Sequence, residues 1–558
     1  METRQFWRTL VAGLAIILFQ AGVACGAEAP AALSGQVTSA EEGPMEGVLV
    51  SARKSGSTVT ITVVSNEQGR YRFPASKLEP GQYALRIRAI GYDLDGRATA
   101  EVAAQQTATV DLKLRKTQDL AAQLSNGEWI MSFPGTEEQK SRLLNCIACH
   151  TLERIVRSKY DAEGFRLTTQ RMIAYSTNST PLRPQKRMAG GGMGRAPNYS
   201  LLTSPPTPDY LTSINLSSVA RWEYPLKTLP RPKGRSTRVI ITEYDLPRPA
   251  LQPHDVLVDA EGMVWYSNFS DQYLGKLDPK TAKVTEYPVP EIKKGYPTGG
   301  LELKPDKDGN LWLGMMYQSG LAKFDKTANK FQHFPLPPEQ NVESAQQSMV
   351  VVRNSHVDGK VWGTNVDLKV FLRLDLASGK YEVIDPWQKL NLPREKHQAY
   401  GIVSDSQNNL YFMDFADGNI GRVDAKTAEV TLYPTPTPLS RPRRGMMDQQ
   451  ERVWFAEYNA NRIGMFDTRT QRFQEWAVPT PWSAPYDVQV DKNGEAWTGS
   501  MLNDLIVRID TKSGQATEYL LPKSTNIRNL YVDNSTTPVT FWVGNNHGAA
   551  IIKLEPLD

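Results

Sequence analysis

Thr242-Glu243-Tyr244-Asp245-Leu246-Pro247 and, 43 residues later, Thr285-Glu286-Tyr287-Pro288-Val289-Pro290 are two copies of one phrase, a short alternating run ending on an aromatic residue and a proline. The phrase returns as Phe334-Pro335-Leu336-Pro337, Tyr433-Pro434, Trp476-Ala477-Val478-Pro479 and Thr517-Glu518-Tyr519-Leu520-Leu521-Pro522, with a degenerate copy at Val383-Ile384-Asp385-Pro386. Successive copies stand 43 to 50 residues apart, the period of four-stranded units arranged around a ring. An aromatic column keeps the same beat: Trp265, Trp312, Trp362, Tyr411, Trp454, Trp497 and Trp542. Its seven members predict a seven-bladed β-propeller over residues 237–558, with the rings packed between blades. The last unit lacks its own copy of the phrase, and the copy at Thr242 is left over at the start. Pairing that early strand with the final blade closes the ring and removes its open edges.

Upstream, residues 117–218 turn helical around Cys146-Ile147-Ala148-Cys149-His150. Two thiols three residues apart, followed at once by an imidazole, read as a c-type haem attachment site. Each thiol forms a thioether to a vinyl group, and His150 reaches the iron from the proximal side. A zinc site needs further cysteine or histidine ligands at matching spacing, and only Cys25 remains of the three cysteines in the chain. Residues 137–144 lead into the motif, 151–156 extend it as a helix that starts near the cysteines, and 161–175 form a second helical run. For the sixth iron ligand the sequence offers Met172 on that second run, or Met188 and Met193 in a glycine-rich loop. The motif and the closing run Pro208 to Asn215 resemble a class I cytochrome c domain. The resemblance implies one covalent haem c with Met/His ligation, and so an electron carrier.

Residues 33–116 alternate apolar and polar residues between Gly/Pro turns, as in Gly69-Arg70-Tyr71-Arg72-Phe73 and Pro80-Gly81-Gln82-Tyr83, and predict a small antiparallel sandwich. This stretch resembles the carboxypeptidase regulatory-like domain, which implies a non-catalytic module for docking or stabilisation. Arg4 and Arg8, the apolar run from Leu10 to Phe19 and the small residues from Ala21 to Ala27 read as a secretory signal peptide over 1–27. Cys25 offers the alternative of a lipidated first residue. Either way the protein is expected to be periplasmic or secreted, without a transmembrane helix in the mature chain. A net charge of +4 over 558 residues, with cations scattered among nearly as many acids, leaves no nucleic-acid footprint. The expected partner is a redox protein or a small-molecule electron donor.

The blades resemble the streptogramin (virginiamycin B) lyases, most closely at Pro253-His254-Asp255-Val256-Leu257-Val258-Asp259-Ala260-Glu261-Gly262-Met263-Val264-Trp265. The resemblance implies histidines at the Pro-His position, glutamates fourteen residues on, magnesium, and opening of a cyclic depsipeptide lactone by elimination. The first column here reads His254, Thr298, Ser348, Tyr400, Arg443, Tyr486 and Arg528. The second reads Asn268, Met315, Asn365, Asp414, Glu457, Ser500 and Asn545. One histidine remains, and Asn268 stands at its paired position. His254, Glu457 and Arg443 are the residual catalytic candidates, with Arg443 and Glu457 placed to pair with each other. Without an acid/base pair the lyase site reads as dismantled, and the propeller mouth as a binding platform for substrate or partner. The overall expectation is a mainly β, multidomain haem protein; the competing one is a lyase with an accessory cytochrome.

Overall fold

The computed structural model describes residues 30–188, 205–217 and 219–558. The signal peptide, Cys25 and Met193 lie outside the described residues.

Residues 239–556 build a propeller-like ring. Six antiparallel sheets of four consecutive strands follow one another, from Pro253–Val258 as the first strand of the first sheet to Ala516–Leu520 as the last of the sixth. Leu530–Asp533, Thr540–Asn545 and Ala550–Pro556 begin a seventh set, completed by Val239–Asp245 from the start of the ring. The register runs from Val239 opposite Pro556 to Asp245 opposite Ala550, which is the closure the leftover phrase implies. First strands of successive sheets touch all the way round, the last against the first. The aromatic column is buried at every position. Four of its indoles donate to an aspartate six residues earlier: Trp265 to Asp259, Trp312 to Asp306, Trp454 to Asp448 and Trp497 to Asp491, at 2.7 to 3.1 Å. Those aspartates also cap the tight turn that starts each hairpin, so one carboxylate sets both the turn and the ring.

Residues 31–116 form a sandwich of two sheets around Leu33, Val37, Val50, Phe73 and Leu85, but not a wholly antiparallel one, because Ala31–Ser39 pairs in parallel with Leu112–Lys116 and Ala108–Thr109. One of those sheets does not end at the domain boundary. Val59–Val64 pairs antiparallel with Val239–Asp245, from Ile240 opposite Val63 to Tyr244 opposite Val59. The closing set and half of the sandwich are therefore one eight-stranded sheet. The alternation of Val239-Ile240-Ile241 serves both sides: Ile240 joins the sandwich core, while Val239 and Ile241 join the core of the ring. Arg53 to Asp245 at 2.5 Å and Lys77 to Glu555 at 2.6 Å lace the junction.

The intervening stretch is a chain of short helices packed on one face of the ring. No helix among the described residues is long and apolar enough to cross a membrane.

Candidate haem-attachment and propeller-mouth site

A capping box of Thr136 and Gln139 starts Glu137–Ser141, and the chain then tightens into the 3₁₀ turn Arg142–Ala148. Cys146 lies on that turn and Cys149 at its end; the next helix, Glu153–Val156, begins only after a break. The helix expected to start near the cysteines is thus interrupted, and the reason is visible in its carbonyls. Arg528 Nη2 donates to Ala148 O at 2.6 Å, His547 Nε2 to Ile147 O at 2.9 Å, and Asn526 Nδ2 to Ile147 O at 3.4 Å. Propeller side chains occupy acceptors that a helix would use for its own amides.

Both thiols are free. Burial pushes Cys146 up to about 12 and Cys149 upward, the latter against the Arg528 charge. His150 Nδ1 lies 2.9 Å from Thr151 O. A carbonyl only accepts, so Nδ1 donates and Nε2 keeps its lone pair. Burial also lowers the imidazole pKa, which favours the neutral ligand form. A cavity of about 270 Å³ opens beside this ring, lined by Cys149, His150 and Leu182 on one side and Leu251, Gln252 and His547 on the other. Six of the thirteen large apolar side chains exposed among the described residues fall in 160–188: Tyr160, Leu167, Met172, Ile173, Leu182 and Met188. Two partly buried thiols, an imidazole with its outer nitrogen already bonded and a neighbouring apolar surface fit a covalent haem. Met172 is 40 % exposed, on Ala162–Ile173, and does not line the cavity beside His150.

The propeller mouth is packed against the chain's own helical segment. Leu143, Leu144, Ile147, Leu152 and Val156 share one apolar core with Tyr400, Phe415, Tyr458, Tyr486, Met501 and Leu502 of the ring. The approach is close enough that a Cβ on Gly127 would lie 1.8 Å from Asn503 Oδ1, and Gly127 N bonds Leu502 O at 2.9 Å. On the far side, Thr298 is held by Asn178 and Gln185, whose contacts to its backbone are 2.7 and 2.8 Å. Four members of the first column (Thr298, Tyr400, Tyr486 and Arg528) are therefore engaged by the chain's own helical segment.

His254 is fully buried. Its Nδ1 lies 2.7 Å from Asp255 Oδ1, and its Nε2 accepts from Tyr486 Oη at 3.4 Å; Tyr486 in turn bonds Tyr400. The sequence reading gave this histidine no carboxylate partner, and that is corrected: the orienting acid is its neighbour in sequence rather than a residue fourteen positions on. Asn268 instead accepts from Gln252 N and Ser270 N. Asp255 is clamped by both Arg444 terminal nitrogens, at 2.8 and 2.7 Å, and Arg444 also reaches Glu302 at 3.1 Å. Burial works to raise the Asp255 pKa, but Arg444 and His254 outweigh it and hold the carboxyl well below the usual range. Burial lowers His254 to about 4 despite Asp255, so the imidazole is neutral near pH 7.

The remaining candidates separate. The Arg443 guanidinium lies over the rings of Tyr486, Tyr458, Phe415 and Tyr400, at 3.9 to 5.2 Å from their centroids. Glu457 is buried near Ser440 and Glu475; burial, then the Glu475 charge, pushes its carboxyl up to about 8. The described contacts of Arg443 are to aromatic rings, and the groups that act on Glu457 are Glu475, Ser440 and Arg462. Sequence reasoning also missed His397, whose Nδ1 lies 2.7 Å from Asp414 Oδ2 beneath the stacked ring of Trp387. His397, Asp414 and Asp417 cluster closely. Asn419 Nδ2 donates to both aspartates and Gln398 N to Asp414. Met315, Ser500 and the asparagines leave Asp414 and Glu457 as the only carboxylates of the second column.

Four-stranded sheets that follow one another round a closed ring define a propeller-like fold. The profile of the virginiamycin B lyase family matches residues 234–509 and 385–556, and the chain belongs to that family. A carboxypeptidase regulatory-like domain profile matches residues 32–115. No curated protein matches the chain. Among solved structures, a streptogramin B lyase is 22 % identical with a TM-score of 0.49, covering 58 % of this chain and 99 % of its own. Selenomethionine-substituted virginiamycin B lyase from Staphylococcus aureus is 21 % identical with a TM-score of 0.48, covering 57 % and 99 %.

Proposed function

We propose that this protein is an exported c-type haem protein that passes single electrons, and that its seven-bladed, lyase-derived propeller is the mount for a cytochrome c-like segment. The observation that carries this reading is the Cys146–Cys149–His150 group, with two free thiols and an imidazole whose Nδ1 is committed to Thr151. Cys146 and Cys149 would hold the group covalently and His150 Nε2 would face the iron, with Met172 the sixth ligand put forward by the sequence. Haem bound in this way supplies a one-electron iron couple. The chain's own contribution is to fix the attachment loop through Arg528, His547 and Asn526 and to exclude water with the core around Leu144 and Ile147. The partner in this reading is a redox protein or a small electron donor.

Purified, exported protein should keep its haem through acid extraction and give a c-type pyridine haemochrome band. Cys146→Ser with Cys149→Ser should abolish that band. Haem that extracts freely from the unaltered chain overturns the reading.

Family membership favours a second reading, a lyase with an accessory haem segment. Against it stand the burial of His254, the clamp on Asp255 and the covered mouth.

A further inference from the structure

We infer that Arg528 is the positioning residue that holds the haem-attachment loop on the propeller and, through its buried charge, biases the haem toward the ferrous state. The inference rests on the haem reading above. Arg528 occupies a first-column position, is buried, and makes three described contacts: Ala148 O at 2.6 Å, Asn526 Oδ1 at 2.8 Å and the Phe269 ring at 4.6 Å. None of these is a carboxylate. The ionisable groups around it include Tyr486, Tyr400, Arg443 and Cys149, together with His254, His547 and Tyr458. A buried guanidinium without an acidic partner is unfavourable to fold around, and Ala148 O alone would be satisfied by a neutral donor.

The location gives the charge a use. Ala148 sits between the two cysteines, so the cation lies against the loop that carries both thioether bonds. Oxidising the iron adds one positive charge to the haem, and a fixed cation in a dry site opposes that change. His547 is the internal contrast. It grips the adjacent carbonyl, but burial, with the Arg528 charge adding to it, lowers its imidazole to about 3. It holds the loop without bringing a charge.

The test is a spectroelectrochemical titration of the full-length, haem-loaded protein and four variants. At the potential where the unaltered protein is half reduced, Arg528→Gln should shift the ferric-to-ferrous ratio about tenfold toward ferric. Arg528→Lys and His547→Gln should stay within about twofold. Asn526→Asp neutralises the cation while keeping it in place, and should shift the ratio in the same direction as Arg528→Gln; it decides the matter if Arg528→Gln fails to load haem. The inference is overturned if Asn526→Asp and every loaded Arg528 variant match the unaltered protein, or if His547→Gln moves the ratio as far as Arg528→Gln. Absence of covalent haem from the unaltered protein removes the haem reading itself, whereas an unmoved ratio in loaded variants removes the inference alone.

Discussion

The two residue columns that run round the ring have had different fates. The packing column, from Trp265 to Trp542, is aromatic in all seven units and buried in each. The mouth column, from His254 to Arg528, holds five residue types in seven units, and four of its members are covered by the chain's own helical segment. Packing between blades admits few substitutes because each ring fills a shaped gap, and four of the indoles also find a carboxylate for their nitrogen. Residues facing the mouth are constrained only by what the mouth meets, and here it meets protein. A fold can therefore be kept while one of its faces is an internal interface.

Breaking the packing column should have the largest effect on stability. Trp497 stacks on Phe541 with ring centroids 3.4 Å apart and donates to Asp491. Trp497→Ala should lower unfolding free energy by about 3–5 kcal/mol in a denaturant titration. A loss below about 1 kcal/mol would show that the column is not what joins the blades.

A smaller, pH-dependent effect is expected at Glu457, in the column fourteen residues after the mouth column, and at His254 in the mouth column itself. Glu457 titrates at about 8 in the fold, raised chiefly by burial, and near 4.3 in the unfolded chain. Its contribution is fully present below the unfolded value and is lost as pH climbs through 8. Glu457→Gln should therefore raise the melting temperature by a few degrees at pH 8 and leave it unchanged at pH 4. Equal shifts at both pH values would place the carboxyl outside the buried site. His254 acts in the opposite sense: its value of about 4 lies below the unfolded one, so stability is lost between pH 6.5 and 4 as the buried ring must charge.

The smallest expected effect is on lyase chemistry. Incubation with a streptogramin lactone and magnesium should give no turnover above background, and His254→Ala should change nothing. Magnesium-dependent ring opening that disappears in His254→Ala would mean that the mouth still admits substrate.

The packing column, the ring closure and the sandwich were legible because each rests on local periodicity. The repeated phrase, the aromatic beat and the alternation of 31–116 are written within short windows. The aspartate six residues before four of the six tryptophans, at 259, 306, 448 and 491, is equally legible. The cover over the mouth was not legible, since it depends on contacts such as Arg528 to Ala148, 380 residues apart, that no spacing rule encodes. The His254–Asp255 pair was missed for another reason: an orienting acid was sought across the mouth, where the lyase resemblance puts it, and the neighbouring residue was passed over.

The strand Val239–Asp245 lies between Val59–Val64 on one edge and Ala550–Pro556 on the other. This arrangement has a consequence for the order of assembly. The sandwich emerges first in any N-to-C order of delivery and presents a ready template edge. Val239–Asp245 can dock there as soon as it is made, roughly 310 residues before its second partner exists. The last strand then meets an ordered seam instead of a free loop, so less chain entropy is lost at the moment of closure. The N-terminal module works as a jig on which the ring is finished.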